Sequence, residues 1–223
     1  MVQPDEIIRS NRKTLAISVD SFGRLIVRAP KKCGQERIFA FLTANEAWIL
    51  RKQKQAKENA VQLPPNTDGE LDGYAFPLLG KSCKIRLTDK ANITFDTTEH
   101  ALCLPRKNAK KRLIQWLKEN GKRIFSEQAA VLAEKMGVSY RSLEVGSARG
   151  KWGSCTYDNR LRFTFRLLYA PRECIEYVIV HELAHIKHKN HSPRFWSEVE
   201  RFCPDWKARR KVLKTHGLWL QIF

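Results

Sequence analysis

The residues best suited to chemistry are His181, Glu182 and His185, which form the pattern His-Glu-x-x-His. On an α-helix, a step of four residues advances the chain by about 400° and roughly 6 Å, so the two imidazoles lie one above the other on one face. Both can reach a single metal ion. Glu182 lies about 100° further round the helix, where its carboxylate can contact a water on the metal without binding the metal itself. The pattern therefore predicts a Zn2+ site for peptide hydrolysis, with Glu182 as general base.

The segment around this pattern is predicted to be a buried helix. Pro171 suits its first position, and Asn190 suits a left-handed helix terminus. Apolar residues leave little of its surface for water: Ile175, Val178, Ile179, Leu183 and Ile186. Because unpaired polar groups cost free energy inside a protein, a bound metal best accounts for two histidines and a glutamate on such a helix.

A third ligand is expected shortly after the pattern. His191 is the eleventh residue counted from His181, which is the spacing of the third ligand in the longer pattern His-Glu-x-x-His-x-x-Gly-x-x-His. His188 replaces the glycine of that pattern, so we expect the chain to turn later, at Asn190. His188 is the alternative ligand, although on a continuous helix it would lie roughly 10 Å from His181 along the axis. We favour His191; the interpretation without a metal is a histidine-rich helix end facing solvent.

The chain is strongly basic. Lys and Arg number 41 against 23 Asp and Glu, a formal net charge of +18. Such an excess predicts attraction to polyanions, nucleic acid first. It is equally compatible with a basic surface that only promotes solubility, because no aromatic-rich or base-reading motif accompanies it.

Other compositional features indicate a cytoplasmic protein with no membrane partner. No apolar run approaches the 18 or so residues of a membrane span, and the first residues do not have the layout of a signal peptide. The six cysteines contain no Cys-x-x-Cys pair, so we expect reduced thiols rather than disulfides or a thiolate zinc site.

Residues 1–105 are predicted to form a β-rich N-terminal region without chemistry of its own. Alternating apolar residues over 13–28 predict a β-hairpin that turns at Ser21 to Gly23. Thr43 and Glu46 have the spacing of a capping box, which predicts a helix from there to about Asn59. A loop should begin at Pro64. Three further short strands, expected to be antiparallel, are predicted around residues 85–87, 93–95 and 102–104.

Residues 106–223 are predicted to form the second domain, which carries the chemistry. Apolar residues keep helical spacing from Leu113 to Met136, and Gly137 should end this helix. Gly121 is a position where the helix could bend or divide. After the zinc pattern, Ser192 and Pro193 predict the start of another helix. A last basic helix should stop before Gly217, and the apolar tail 218–223 should pack back on the body.

Two strands should precede the zinc helix as an antiparallel hairpin. The first is predicted to begin near Leu143 and run on into residues 151–155, and the second covers residues 161–167. Gly153 within a strand suggests a bulge or a close backbone approach. In a peptidase this strand edge could pair with an extended substrate, which makes Trp152 and Gly153 candidate substrate-binding residues. A plain supporting hairpin is the alternative.

The chain resembles the YgjP-like family of zinc-dependent metallopeptidases. Four segments carry the resemblance: Gly150 to Cys155, Leu161 to Leu167, Tyr177 to His185, and Asn190 to Trp196. The C-terminal half resembles the family strongly and the N-terminal hairpin more weakly. The continuation His-x-x-x-x-Asn-His-Ser-x-x-Phe-Trp is much more specific than the zinc pattern alone.

The resemblance implies an α+β protein with a zincin-like C-terminal domain, His181, His185 and His191 as ligands, and Glu182 as base. The same helix is similar to the SprT-like and WLM families, some of which cleave proteins bound to DNA. Expected partners are therefore a protein or peptide substrate and, through the basic surface, nucleic acid. A donor for the oxyanion is also required, and the candidates are Arg149, Lys151 and His188.

Two other functional classes stay open at this stage. One is a nucleic-acid-associated binding protein in which the zinc is structural, although closed structural sites favour four protein ligands and often use cysteines. The other is a metal hydrolase that acts on a bond other than a peptide bond. The types of ligand alone do not distinguish such a hydrolase from a peptidase.

Overall fold

The polypeptide is divided into two compact units, Met1–Gln62 and Leu63–Phe223. The structure, a computed structural model, describes residues 2–20, 23–58, 68–215 and 217–223. Both units combine helices with sheet, which confirms the predicted α+β class. The domain boundary predicted between residues 105 and 106 stays a prediction, and the compact units divide the chain at residue 62 instead.

The first unit is a three-stranded sheet with two helices. Its elements are β1 (Glu6–Ser10), β2 (Ala16–Val19), β3 (Leu25–Pro30), α1 (Gln35–Ala44) and α2 (Glu46–Glu58). Strands β2 and β3 pair antiparallel, so the predicted hairpin is confirmed, and β1 adds in parallel to the other side of β3. One side of β3 packs with the helices in a core of Leu25, Val27, Ala29, Ile38, Leu42 and Ile49. The predicted turn residues Ser21 and Phe22, the helix end at Asn59 and the loop at Pro64 lie outside the described residues.

The capping box predicted at Thr43 is wrong. Thr43 lies in the last turn of α1, where its backbone is already helical. The interruption comes at Asn45, whose side-chain amide donates to the carbonyl of Phe41, 2.8 Å away. Helix α1 was not predicted, because the burial of Ile38 and Leu42 depends on contact with β3, which the pattern of residues within the helix does not show.

The second unit begins with a four-stranded sheet. Its strands are β4 (Ala75–Leu78), β5 (Lys81–Thr88), β6 (Thr94–Asp96) and β7 (Ala101–Pro105), in the order β4-β5-β7-β6. The three strands predicted here are confirmed, but the expectation that all are antiparallel is wrong, because β5 and β7 are parallel. The reason is burial: β7 is apolar and buried, so it takes a central position, whereas the largely exposed β6 pairs at the edge.

One long helix, α3 (Ala109–Met136), follows that sheet and ends at Gly137 as predicted. It runs through Gly121 without interruption. A side chain at this position would meet the side chains of Val145 and Leu168 at 3.6 Å, so the glycine serves close packing.

The next sheet has the strand order β8-β10-β9, with β8 (Ser142–Gly146), β9 (Gly153–Cys155) and β10 (Arg160–Thr164). The β9–β10 hairpin is antiparallel, as predicted. The prediction that the first strand runs on into residues 151–155 is wrong, since β8 pairs in parallel with the opposite edge of β10. The last strand also ends earlier than predicted, because Phe165–Tyr169 form a 3₁₀ turn capped by the side chain of Thr164.

Three helices complete the unit. They are α4 (Arg172–Lys187), α5 (Pro193–Phe202) and α6 (Trp206–Thr215), and a 3₁₀ turn at Gly217–Gln221 follows. Helix α4 carries the His-Glu-x-x-His pattern and is largely buried, as predicted. Its end was predicted at Asn190 but comes at His188, whose backbone is extended. The C-terminal residues Ile222 and Phe223 are buried, which agrees with the expected packing of the tail. Within the described part of the chain, no helix combines the length and apolar character needed to cross a membrane.

Arg166 links the segment before α4 to two other parts of the unit. Only 2% of the residue is exposed. Its guanidinium donates to the carbonyls of Ile222 at 2.9 Å and Ser147 at 2.8 Å, and also to that of Phe223. The arginine therefore ties the chain between β8 and β9 to the final residues and supports the position of β9.

Replacing this arginine should destabilise the unit. Arg166→Met leaves buried carbonyl groups without donors, so we expect the free energy of unfolding to fall by about 2–4 kcal/mol. Urea titration followed by circular dichroism measures the change. Arg162→Met, on the neighbouring strand, removes an exposed ion pair with Glu144 and should cost less than about 1 kcal/mol. Equal losses in the two variants would contradict this role of Arg166.

Candidate metal centre

Three imidazoles converge at the C-terminal part of α4. Helix α4 supplies His181 and His185, and His191 comes from the segment that joins α4 to α5. Their candidate ligand atoms all lie within 4.8 Å of one another. The helix breaks at His188, and this break lets the following residues bring His191 back beside the first two histidines.

The separation of His181 and His191 is close to that of two nitrogen ligands of one metal ion. Nε2 of His181 and Nε2 of His191 are 3.1 Å apart. Two nitrogens bound at 2.0–2.1 Å to a tetrahedral ion would be about 3.3 Å apart. Nδ1 of His185 lies 3.0 Å from the carbonyl oxygen of His188. Because Nδ1–H donates to that carbonyl, the lone pair of His185 is on Nε2, the tautomer that a metal ligand needs.

The electrostatics of the histidines also favour a metal. Burial lowers the pKa of His181 to about 3, with smaller contributions from His185 and His191. Burial likewise lowers the pKa of His185. Neutral imidazole is the form that binds metal, so these two rings are in the binding form at neutral pH.

Two aromatic side chains pack against the imidazole rings of the three histidines. Phe195 is fully buried, and its ring centroid lies 4.5 Å from that of His185, 4.9 Å from His181 and 4.8 Å from His191. Trp196 stacks on His191 at 5.6 Å. Phe195 and Trp196 entered the sequence analysis only in the segment that resembles the family, and neither was given a role at the site. The available signal was their place in the first turn after the helix cap at Ser192.

Glu182 lies beside this group in an apolar environment. Only 6% of the residue is exposed. Burial raises the pKa of Glu182 to about 8, while Lys151 and a hydrogen bond with the backbone of Cys155 act in the opposite direction. This carboxyl group is therefore able to hold a proton near neutral pH, as a group that accepts and returns protons must.

Strand β9 packs directly on Glu182. A Cβ atom at Gly153 would lie 2.8 Å from Oε1 of the glutamate, closer than side chains tolerate. The close backbone approach inferred from the sequence is thus present, and glycine is required for it. Trp152, Gly153, His181 and Glu182 line one cavity of about 360 Å³. The structure therefore brings together all six residues singled out for the site.

The alternative metal ligand and the candidate oxyanion donors lie in different places. The side chain of His188 is not part of the histidine group, although its carbonyl orients His185. Arg149 donates to the carbonyl of Phe223 at 2.9 Å and is engaged there. Lys151 lines the cavity beside Glu182 together with Arg210, a residue that sequence reasoning did not single out.

The family description "YgjP-like, metallopeptidase domain" matches residues 13–216 of the chain. The chain belongs to the YgjP-like metallopeptidase family. It is accordingly a peptidase of the metal-dependent class, and its mixed helices and sheets are consistent with the zincin-like α+β fold expected from the sequence. The three histidines are where a YgjP-like metallopeptidase could hold its metal.

Two metallopeptidase zymogens are among the similar solved structures. The zymogen of Pyrococcus abyssi abylysin is 20% identical, has a TM-score of 0.38, and the alignment covers 40% of this chain and 92% of that one. The zymogen of Methanocaldococcus jannaschii jannalysin is 20% identical and has a TM-score of 0.35, and the alignment covers 40% of this chain and 94% of that one. No curated protein matches the chain significantly.

The contact between Gly153 and Glu182 can be tested in this YgjP-like metallopeptidase. Gly153→Ala should displace the carboxylate and lower kcat/KM for peptide hydrolysis by about 100-fold, because a shift of about 1 Å in a catalytic group has effects of that size. Gly146→Ala, on the same sheet, is the control, since its Cβ would meet nothing within 4 Å. Full activity in Gly153→Ala would show that the position of Glu182 does not depend on this contact.

Proposed function

We propose that the chain is a zinc-dependent peptidase in which His181, His185 and His191 hold the ion. The convergence of these three imidazoles beside one buried carboxylate carries the proposal. When bound at such a site, zinc supplies a Lewis acid that polarises the scissile carbonyl and lowers the pKa of water. Three nitrogen ligands are typical of catalytic zinc, which keeps one position open.

Glu182 is the proposed general base. Its carboxylate takes a proton from the attacking water and later delivers it to the nitrogen of the leaving amine. The apolar surroundings favour the protonated form of this group, which makes the second transfer easier than it would be from an exposed glutamate. Lys151 lines the same cavity, and it is the cation proposed to stabilise the oxyanion.

Strand β9 is the proposed binding edge for an extended substrate. It is an edge strand, since β10 pairs with only one of its sides. The carbonyl of Trp152 accepts from the N–H of Thr164 at 3.0 Å. Because hydrogen-bonding directions alternate along a strand, the backbone groups of Gly153 point to the other edge, next to Glu182. Trp152 and Gly153 thus remain the substrate-binding candidates.

The role of the carboxylate is tested by Glu182→Gln. The amide keeps the shape of the side chain but cannot take up a proton, so zinc content should be unchanged while kcat falls by about 100-fold or more. Metal analysis and digestion of casein with and without a chelator measure the two properties. Chelator-sensitive hydrolysis at the wild-type rate would exclude Glu182 as the base.

The third ligand is tested by His191→Asn with His188→Asn as its matched control. Loss of one of three ligands should weaken zinc binding by at least about 100-fold, since even outer-shell changes cost 10–100-fold. The side chain of His188 lies outside the histidine group, so its replacement should leave affinity nearly unchanged. Competition with a chromogenic chelator gives the affinities. A loss of zinc affinity in His188→Asn but not in His191→Asn would make His188 the ligand.

Action near nucleic acid is a further part of the proposal. The net charge of +18 favours it through attraction to phosphate. The alternative function, a nucleic-acid-associated protein with structural zinc, is less favoured because closed structural sites use four protein ligands. Among the described residues the metal-binding group has three histidines and contains no cysteine. Salt-dependent DNA binding without any peptidase activity would favour the alternative.

A further inference from the structure

The cavity beside Glu182 carries an excess of positive charge. Its polar lining includes three cations from two parts of the chain: Lys151 before β9, and Arg210 and Lys214 on α6. The acidic side chain in the lining is Glu182. The remaining surface is largely apolar and comes from Trp152, Tyr177, Val178 and Leu213.

The lining offers these cations one carboxyl group, Glu182, whose pKa Lys151 lowers. Within the described parts of the chain, no carboxylate lies within ion-pair distance of Lys151, Arg210 or Lys214. The neighbouring Arg209 differs, since it pairs with Glu176 on α4 at 2.6 Å and with Asp205 at 2.8 Å. Of two adjacent arginines on α6, one therefore fixes the helix to α4, and the other is available to a ligand.

Arg210 is held in place before any ligand arrives. Its guanidinium carbon lies 5.2 Å from the ring centroid of Trp196. That indole stacks on Trp206 at 4.2 Å and on His191 at 5.6 Å. A guanidinium fixed on an aromatic face loses less conformational freedom when it binds a carboxylate, and it can bind that carboxylate through two parallel hydrogen bonds.

We propose that this cavity binds an aspartate or glutamate side chain of the peptide substrate, within two residues of the bond that is cleaved. The proposal rests on the peptidase function proposed above. Arg210 binds the carboxylate, and Lys151 and Lys214 add attraction. The apolar lining accommodates the methylene groups. The position close to the scissile bond follows because His181 and Glu182 line the same cavity.

A phosphate of nucleic acid fits this cavity less well than a carboxylate side chain. The volume of about 360 Å³ is large enough for an acidic side chain. Half of the lining is apolar. Proteins that bind single-stranded nucleic acid instead follow its backbone with an open positive groove and exposed aromatic faces for base stacking.

The proposal is tested with the zinc-loaded full chain and an unbiased pool of peptides whose cleavage products are sequenced by mass spectrometry. We expect enrichment of Asp and Glu at one position within two residues of the cleaved bond. For matched peptides with Glu or Gln at that position, the wild-type ratio of kcat/KM should be about tenfold in favour of Glu, the size expected for a charge-assisted hydrogen bond. Arg210→Gln and Lys151→Gln should each reduce the ratio, and Arg210→Glu should shift the preference towards Lys and Arg.

The control variant is Arg201→Gln, an equal change of charge on the exposed surface of α5, outside the cavity lining. It should keep the wild-type ratio. A second measurement is the affinity of zinc-loaded Glu182→Gln for the same Glu and Gln peptides, with and without Arg210→Gln. This measurement does not depend on turnover, and a preference for the Glu peptide that Arg210→Gln abolishes would support the proposal.

Failure of this proposal can be distinguished from failure of the proposed peptidase function. Hydrolysis without any acidic preference, or with a preference that both cavity variants retain, overturns this proposal and leaves the peptidase function standing. A complete lack of hydrolysis and of peptide binding overturns both. If Arg210→Gln weakens binding of a DNA oligonucleotide but leaves the peptide preference unchanged, the cations serve nucleic acid and the proposal is wrong.

Discussion

The contact of one buried phenyl ring with three imidazoles supports the arrangement of the histidines that could hold a metal ion. Phe195 lies within 5 Å of the ring centroids of His181, His185 and His191. Helix α5 can present this ring only because the chain leaves α4 at His188 and starts a new helix at the cap residue Ser192. The break, the cap and the phenyl ring therefore act together to bring a histidine from outside the helix to the pair on it.

Burial has opposite effects on the two kinds of ionisable group in the site, and both effects suit a metal peptidase. It lowers the pKa of His181 and His185, which keeps them neutral and able to bind metal. It raises the pKa of Glu182, which favours the proton-carrying form. Desolvation penalises whichever form is charged, so one apolar environment accounts for both shifts.

The metal centre and the neighbouring cavity share one aromatic stack. Trp196 contacts His191, which lies between α4 and α5, and also contacts Arg210 on α6. Trp206 stacks against Trp196. A change in this stack would therefore affect both a proposed metal ligand and the cation proposed to select substrates. The adjacent ion pair of Arg209 with Glu176 keeps α6 in place against α4.

By itself the sequence determined the local features, namely the spacing of His181, Glu182 and His185 and the helix start at Ser192, because each depends on residue types a few positions apart. At Gly153 it indicated a bulge or a close approach, and only the fold decided that the partner is Glu182. Tertiary structure alone decided that β8 pairs with the far edge of β10, that α4 ends at His188, and that Arg210 reaches the cavity. These outcomes depend on which apolar surfaces from distant segments are buried together. No pattern within one segment contains that information.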